Sequence, residues 1–180
     1  MELTVRLRKA YALGDRIIKV NHAGENGAVN IYAGQILFAR FTAPKLVAEL
    51  RAFKSHEERH RSIFQAELVQ RNVRRCRSFH LCGVGGYFLG AITGLFGRGA
   101  IAATTVAVER VVLGHLKLQL AQLQGKDPAA VLAIGEIVRE EQEHHDRSAE
   151  HARASRLWLA FLGPVVSLST ELVIWTGMRL

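Results

Sequence analysis

Apolar side chains recur along four long stretches of this chain at the spacing that gives a helix one buried stripe. From Asp15 to about Arg40 the stripe runs Ile18, Ala28, Val29, Tyr32 and Ile36. A second, from about Pro44 to Asn72, carries Leu46, Leu50, Phe53, Phe64 and Leu68. The third runs from about Gly99 to Gln124 through Ala102, Val106, Val112, Leu113, Leu116 and Leu120. The fourth, from about Pro128 to Ser155, contains Ile134, Ile137 and Val138. Asp15 is the expected N-cap of the first helix. Phe41-Thr42-Ala43-Pro44 and Gly125-Lys126-Asp127-Pro128 interrupt the pattern, so the four helices pair into two hairpins. No strand-like alternation occurs, and 3 prolines in 180 residues leave long helices unbroken, so the expected fold class is all-α.

Charged residues stand on these otherwise apolar stripes, and they repeat. Glu25, Glu57 and His60 recur at a constant offset of 84 as Glu109, Glu141 and His144. The two Glu-x-x-His sequences of the chain are Glu57–His60 and Glu141–His144, and each lies 32 residues after its partner glutamate. Half of that spacing falls at a chain break, and a helix climbs about 24 Å in 16 residues, so an antiparallel partner returns to the same height. Positions i and i+3 share a helix face. The spacing therefore predicts six inward-pointing ligands: Glu25, Glu57, His60, Glu109, Glu141 and His144. This is the pattern of a carboxylate-bridged dimetal centre in a four-helix bundle with a two-fold hairpin repeat. Four carboxylates converging on a core repel one another and cost too much to bury ionised; two divalent cations neutralise them. Oxygen and imidazole donors without thiolate favour iron or manganese over zinc, and two iron ions per chain are expected. His115 lies off the ligand face, His22 and His145 flank ligands, and Asn21 and Thr105, one turn before Glu25 and Glu109, are candidate partners of the ligating imidazoles.

Composition narrows the setting. An apolar fraction of 49% over 180 residues fits one domain spanning residues 1–180. No nucleotide-binding fingerprint is present, so the residues do not reveal an electron donor. Cys76 and Cys82 are too few for a disulfide framework or a CxxC metal site and read as free thiols in a reducing compartment. The net charge of +8 includes a cluster at Arg71, Arg74, Arg75 and Arg77, apt for nucleic acid or an anionic membrane. The next stretch, 78–97, has no Asp, Glu, Lys or Arg and favours the membrane over nucleic acid. A full crossing there would separate the two halves of the ligand set, so 78–97 is expected as an apolar helical connection dipping into one leaflet, with the arginines at headgroup level. Residues 157–178, apolar apart from Pro164 and Glu171, are expected as a helix on the same surface. The first residues, with Arg6, Arg8 and Lys9, show no signal-peptide apolar region. The expected location is peripheral: the cytoplasmic face of an inner or plasma membrane, or the matrix face of a mitochondrial inner membrane after leader removal.

From about Asp15 to Leu180 the chain resembles the demethoxyubiquinone hydroxylases, membrane-bound members of the ferritin-like di-iron carboxylate group. The resemblance is carried by DRIIKVNHAGENGAVNIYAGQ around Glu25, TTVAVERVVLGH around Glu109 and EEQEHHD around Glu141 and His144, and less tightly by HEERH and LVIWTGMRL. All six predicted ligands fall on the family's ligand positions. Asn21 stands where members often have Asp, and Asn26 and Leu116 where they often have Tyr, so no tyrosine is carried over at those positions. The resemblance implies a ferritin-like four-helix bundle and hydroxylation of a polyprenylated demethoxybenzoquinone or quinol in the penultimate step of ubiquinone biosynthesis. It implies dioxygen as co-substrate, NADH or another external reductant, and other ubiquinone-biosynthesis proteins as candidate partners; an oligomer is left open. The residues alone also allow a ferritin-type ferroxidase or peroxide-scavenging bundle, an RNA hydroxylase, or a metal-free scaffold.

Overall fold

A computed structural model describes residues 12–153 and 155–179. The N-terminal Arg6, Arg8 and Lys9 lie outside the described residues. Six α-helices follow in order: α1 (Leu13–Thr42), α2 (Val47–Gln70), α3 (Phe79–Leu95), α4 (Arg98–Leu123), α5 (Pro128–Ala152) and α6 (Arg156–Gly177). Among the described residues there is no strand, and the chain is an all-α helical bundle as its periodicity requires.

The helix ends have local causes. Helix α1 begins at Leu13, earlier than the cap expected at Asp15, and Ala12 makes no side-chain cap. Asp15 instead sits in the first turn, where its charge favours the positive end of the helix dipole. Pro44 forbids continuation and starts a single 3-10 turn, Pro44–Leu46, before α2. The second hairpin turns through Gly125 at φ 71°, and Asp127 then caps α5 by accepting from Ala130 N at 3.1 Å, with Pro128 in the first turn.

Helix α1 packs on α2 and α4 on α5, so the two hairpins form the bundle; α3 lies along α1 and α6 along α4. Each half therefore runs long helix, long helix, apolar helix. The 78–97 stretch is helical, as expected. It is a 17-residue helix, short of the roughly 20 residues a membrane crossing needs, and Gly83, Gly86, Gly90 and Gly94 form a face pressed on α1. A Cβ at Gly90 would lie 2.0 Å from Ile31 O, and one at Gly34 on α1 would lie 2.3 Å from Tyr87 O. Only backbone without side chains permits that approach.

Two apolar clusters fill the bundle. One holds Ile17, Ile18, Phe64, Leu68, Ile134 and Ile137; the other holds Tyr32, Ala39, Leu46, Leu50, Phe53 and Ile101. Their members flank Glu25 in α1, Glu57 and His60 in α2, so the ionisable residues lie between the two.

Candidate metal centre

The bundle brings all six sequence-predicted residues together. Glu25 comes from α1, Glu57 and His60 from α2, Glu109 from α4, Glu141 and His144 from α5, and each is at most 5% exposed. They form two overlapping groups, Glu25–Glu57–His60–Glu141 and Glu57–Glu109–Glu141–His144, with ligand atoms in each within 4.8 Å of one another. Glu57 and Glu141 belong to both groups. The offset of 84 exchanges one group for the other.

The donor set fits two divalent cations. His60 Nδ1 lies 3.0 Å from Glu141 Oε1 and 3.6 Å from Glu57 Oε2; His144 Nδ1 lies 3.0 Å from Glu57 Oε1 and 3.4 Å from Glu141 Oε2. Neither ring nitrogen has a hydrogen-bond partner despite these distances, and both Glu57 oxygens and Glu141 Oε2 are likewise buried without one. Buried polar atoms that converge without pairing are the exception in folded proteins, and a cation among them satisfies them all.

The electrostatics agree. Burial, then the charges of Glu57 and Glu141, push Glu25 well above the usual carboxylate range; burial, then Glu141 and Glu57, do the same to Glu109. Burial alone would lower His60 and His144, but contacts with Glu141 and Glu57 raise them to about 11 and about 9. Burial also works against the Glu141 carboxylate, yet His144 and His60 hold it below its ordinary value. Without metal, the site must borrow protons to balance its charge, and divalent cations displace them.

Three neighbours of the site were missed from sequence. His60 Nε2 meets Glu140 Oε2 at 2.9 Å, and His144 Nε2 meets His56 Nδ1 at 3.0 Å. Glu140 is also paired with Arg59. The Tyr32 hydroxyl donates to Glu109 Oε1 at 3.4 Å, so a tyrosine does stand at the centre, at a position the resemblance did not single out. The candidate partners of the imidazoles are engaged elsewhere: Asn21 and Gln119 hydrogen-bond reciprocally at 2.8 and 3.2 Å, and Thr105 donates to Ile101 O at 3.3 Å. Asn26 accepts from Arg61 and donates to Phe79 O, tying α1 to α2 and to the start of α3.

The remaining histidines point away from the six. His115 pairs with Glu171 across α4 and α6 at 2.8 Å. His22 stacks on Phe79 with centroids 4.8 Å apart, and burial, then Arg61 and Arg75, depress it to about 4. His145 meets Asp146 at 2.9 Å, and His151 meets Glu49 at 3.0 Å. Beside Glu109, on the α1–α4 side, is a void of about 10 Å³ lined by Ala28, Ile31, Tyr32, Thr105 and Val108.

The family model for ubiquinone biosynthesis protein COQ7 matches residues 12–177. The chain belongs to this family. It is 36% identical over 171 residues to 3-demethoxyubiquinol 3-hydroxylase of Rhodospirillum rubrum, covering 93% of this chain and 79% of the relative. It is 32% identical over 169 residues to NADPH-dependent 3-demethoxyubiquinone 3-hydroxylase, mitochondrial, of Mus musculus, covering 92% and 77%. The 5-demethoxyubiquinone hydroxylase, mitochondrial, of Saccharomyces cerevisiae is 29% identical over 181 residues, with coverage of 92% and 78%. Membership of the COQ7 family covers both hairpins and both apolar helices, so all six converging residues fall inside the matched region.

Proposed function

We propose that this protein is a di-iron monooxygenase that hydroxylates a polyprenylated demethoxyubiquinone or its quinol at a ring carbon, the penultimate step of ubiquinone biosynthesis. One observation carries this reading: two buried carboxylate–imidazole groups that share Glu57 and Glu141, in a chain whose relatives are named demethoxyubiquinone and demethoxyubiquinol hydroxylases. Glu25 and His60 would hold one ion and Glu109 and His144 the other, with the carboxylates of Glu57 and Glu141 available to both. When bound, the iron pair supplies the activation of dioxygen, with electrons from NADH or another external reductant.

The protein's own residues do the rest. Glu140 and His56 fix the ring orientation of His60 and His144, so that Nδ1 of each faces the centre. Phe53 and Tyr32 close the α2 and α1 sides against His144, with Phe53 4.4 Å from that ring, which keeps bulk water from the centre. The void beside Glu109 is walled by Ile31 and Val108, which pack on Leu89 of α3 and Leu162 of α6. A quinol ring reaching the centre from the side that α3 and α6 cover would meet Glu109 first.

Peripheral membrane attachment belongs to the same reading. Helix α3 exposes Leu81 and Phe88, and α6 exposes Leu157, Phe161 and Leu168, all above 60%. An isoprenoid tail partitions into lipid, so an enzyme acting on its head group gains from resting on a bilayer. The cytoplasmic or matrix face is the one that meets a reduced nicotinamide donor.

Quinone profiling tests the function. Cells lacking the protein should accumulate the demethoxy precursor, and the native chain should restore ubiquinone. Glu109→Ala and Glu141→Ala should restore nothing and should lose bound iron together with activity. A normal quinone profile in the deleted cells would sink the hydroxylase reading and leave a ferritin-type oxidase.

A further inference from the structure

The six residues obey the repeat, but the groups behind them do not. Positions 56 and 140 are related by the same offset of 84, and each backs the imidazole of the opposite half. One is an imidazole and the other a carboxylate: His56 meets His144, whereas Glu140 meets His60. Positions 32 and 116 are related in the same way. Tyr32 offers its hydroxyl to Glu109, while its counterpart Leu116, 2% exposed, offers Glu25 no donor.

These differences act in one direction. A carboxylate accepting from Nε2–H of His60 locks the tautomer and raises the electron density at Nδ1. Arg59 holds Glu140 in place for this role. His56 is a weaker acceptor, and with 36% of its side chain exposed it orients His144 less firmly. A phenol donating to Glu109 withdraws density from a ligand oxygen; the hydrogen bond is long, so this effect is the smaller one.

We propose that the two ion positions are unequal: the Glu25–Glu57–His60–Glu141 position takes up its divalent cation first and more tightly than the Glu57–Glu109–Glu141–His144 position, and Glu140 and Tyr32 are the positioning residues that set the order. The inference rests on the dimetal reading of the site. It implies a mixed, half-loaded protein at low metal supply, with the ion nearest the void beside Glu109 the last to arrive.

The test is an oxygen-free titration of the metal-stripped full-length protein with Mn(II), followed by electron paramagnetic resonance. Free ion, isolated bound ion and coupled ion pairs give different signals. Two steps separated by about tenfold or more are expected, an isolated ion first and a coupled pair second. Glu140→Gln, at a side chain only partly buried, should weaken the first step about tenfold and merge the two. Tyr32→Phe keeps the ring and should tighten the second step a few-fold. Glu25→Gln should remove the tight step, and Glu109→Gln the weak one. Coupled pairs from the first equivalent onward, or a gap between steps that Glu140→Gln leaves unchanged, would overturn the proposal while the dimetal reading stands. Failure to bind Mn(II) at all would instead remove that reading.

Discussion

At the scale of single residues, charge balance decides what each group does. Arg71 shows this away from the metal centre. Its position in an arginine-rich run suggests a headgroup cation, but the fold gives it to three carboxylates: Asp127 at 2.7 Å, Glu67 at 3.0 Å and Asp15 at 3.3 Å. The guanidinium thus joins the end of α2 to the starts of α1 and α5, while Arg74, Arg75 and Arg77 stay at least partly exposed. The hydrogen bond from Arg71 holds Asp127 below its ordinary value of 3.8, against a smaller effect of burial. The unfolded chain therefore binds the proton first. The stabilisation is complete above about pH 5 and drains away as pH falls through 3.8 toward the native value. Asp127→Asn keeps the helix cap and removes the charge. It should cost about 1 kcal/mol at pH 7, after discounting for partial exposure, and the difference from the native protein in thermal unfolding should shrink as pH falls below 3.8. A difference that persists in acid would mean that the cap, not the ion pair, carries the effect.

At the scale of elements, the apolar helices are specified by what they lack. By propensity alone the glycines of 78–97 count against a helix, because glycine is a poor helix former. The close packing of α3 on α1 offsets that cost, since backbone contacts replace the side chains. Substitution separates the two kinds of glycine. Gly90→Ala forces a Cβ to 2.0 Å from Ile31 O and should destabilise by about 1–3 kcal/mol, seen as a lower unfolding midpoint. Gly85→Ala meets nothing within 4 Å and should leave the midpoint unchanged or raise it by about 0.5–1 kcal/mol in stability. Equal effects at both positions would refute the close-contact account of α3.

At the scale of the whole molecule, exposed apolar surface is concentrated on the third helix of each half. Helices α4 and α6 both have the length and apolarity of a membrane span, yet α4 is a core helix with 61% of its most apolar stretch buried, whereas α6 has 11% buried. Surface of that kind on the outside of a bundle marks a contact with lipid or a partner. The full-length protein should float with anionic phospholipid vesicles. Replacing Phe161 and Leu168 together with Ser should move it to the soluble fraction without changing its metal content. Arg74, Arg75 and Arg77 replaced by Gln should weaken binding chiefly at low salt, by about 1 kcal/mol per residue near the surface. Failure of the native chain to float would place the apolar faces against protein instead, and unchanged flotation in both variants would move the lipid contact elsewhere on the surface.

The sequence by itself determined the helical class, both hairpin turns and the six converging residues, because helical period and a repeated spacing are properties of one dimension. The residues behind the imidazoles were within reach of the same repeat, positions 56 and 140 being related by it, but different side chains there hid the relation. Only the tertiary structure decided that Tyr32 reaches Glu109, that Arg71 is neutralised by three carboxylates, and that glycines of α3 are buried while its large side chains face outward. Those outcomes depend on how neighbouring helices approach and rotate, which no single helix's pattern contains.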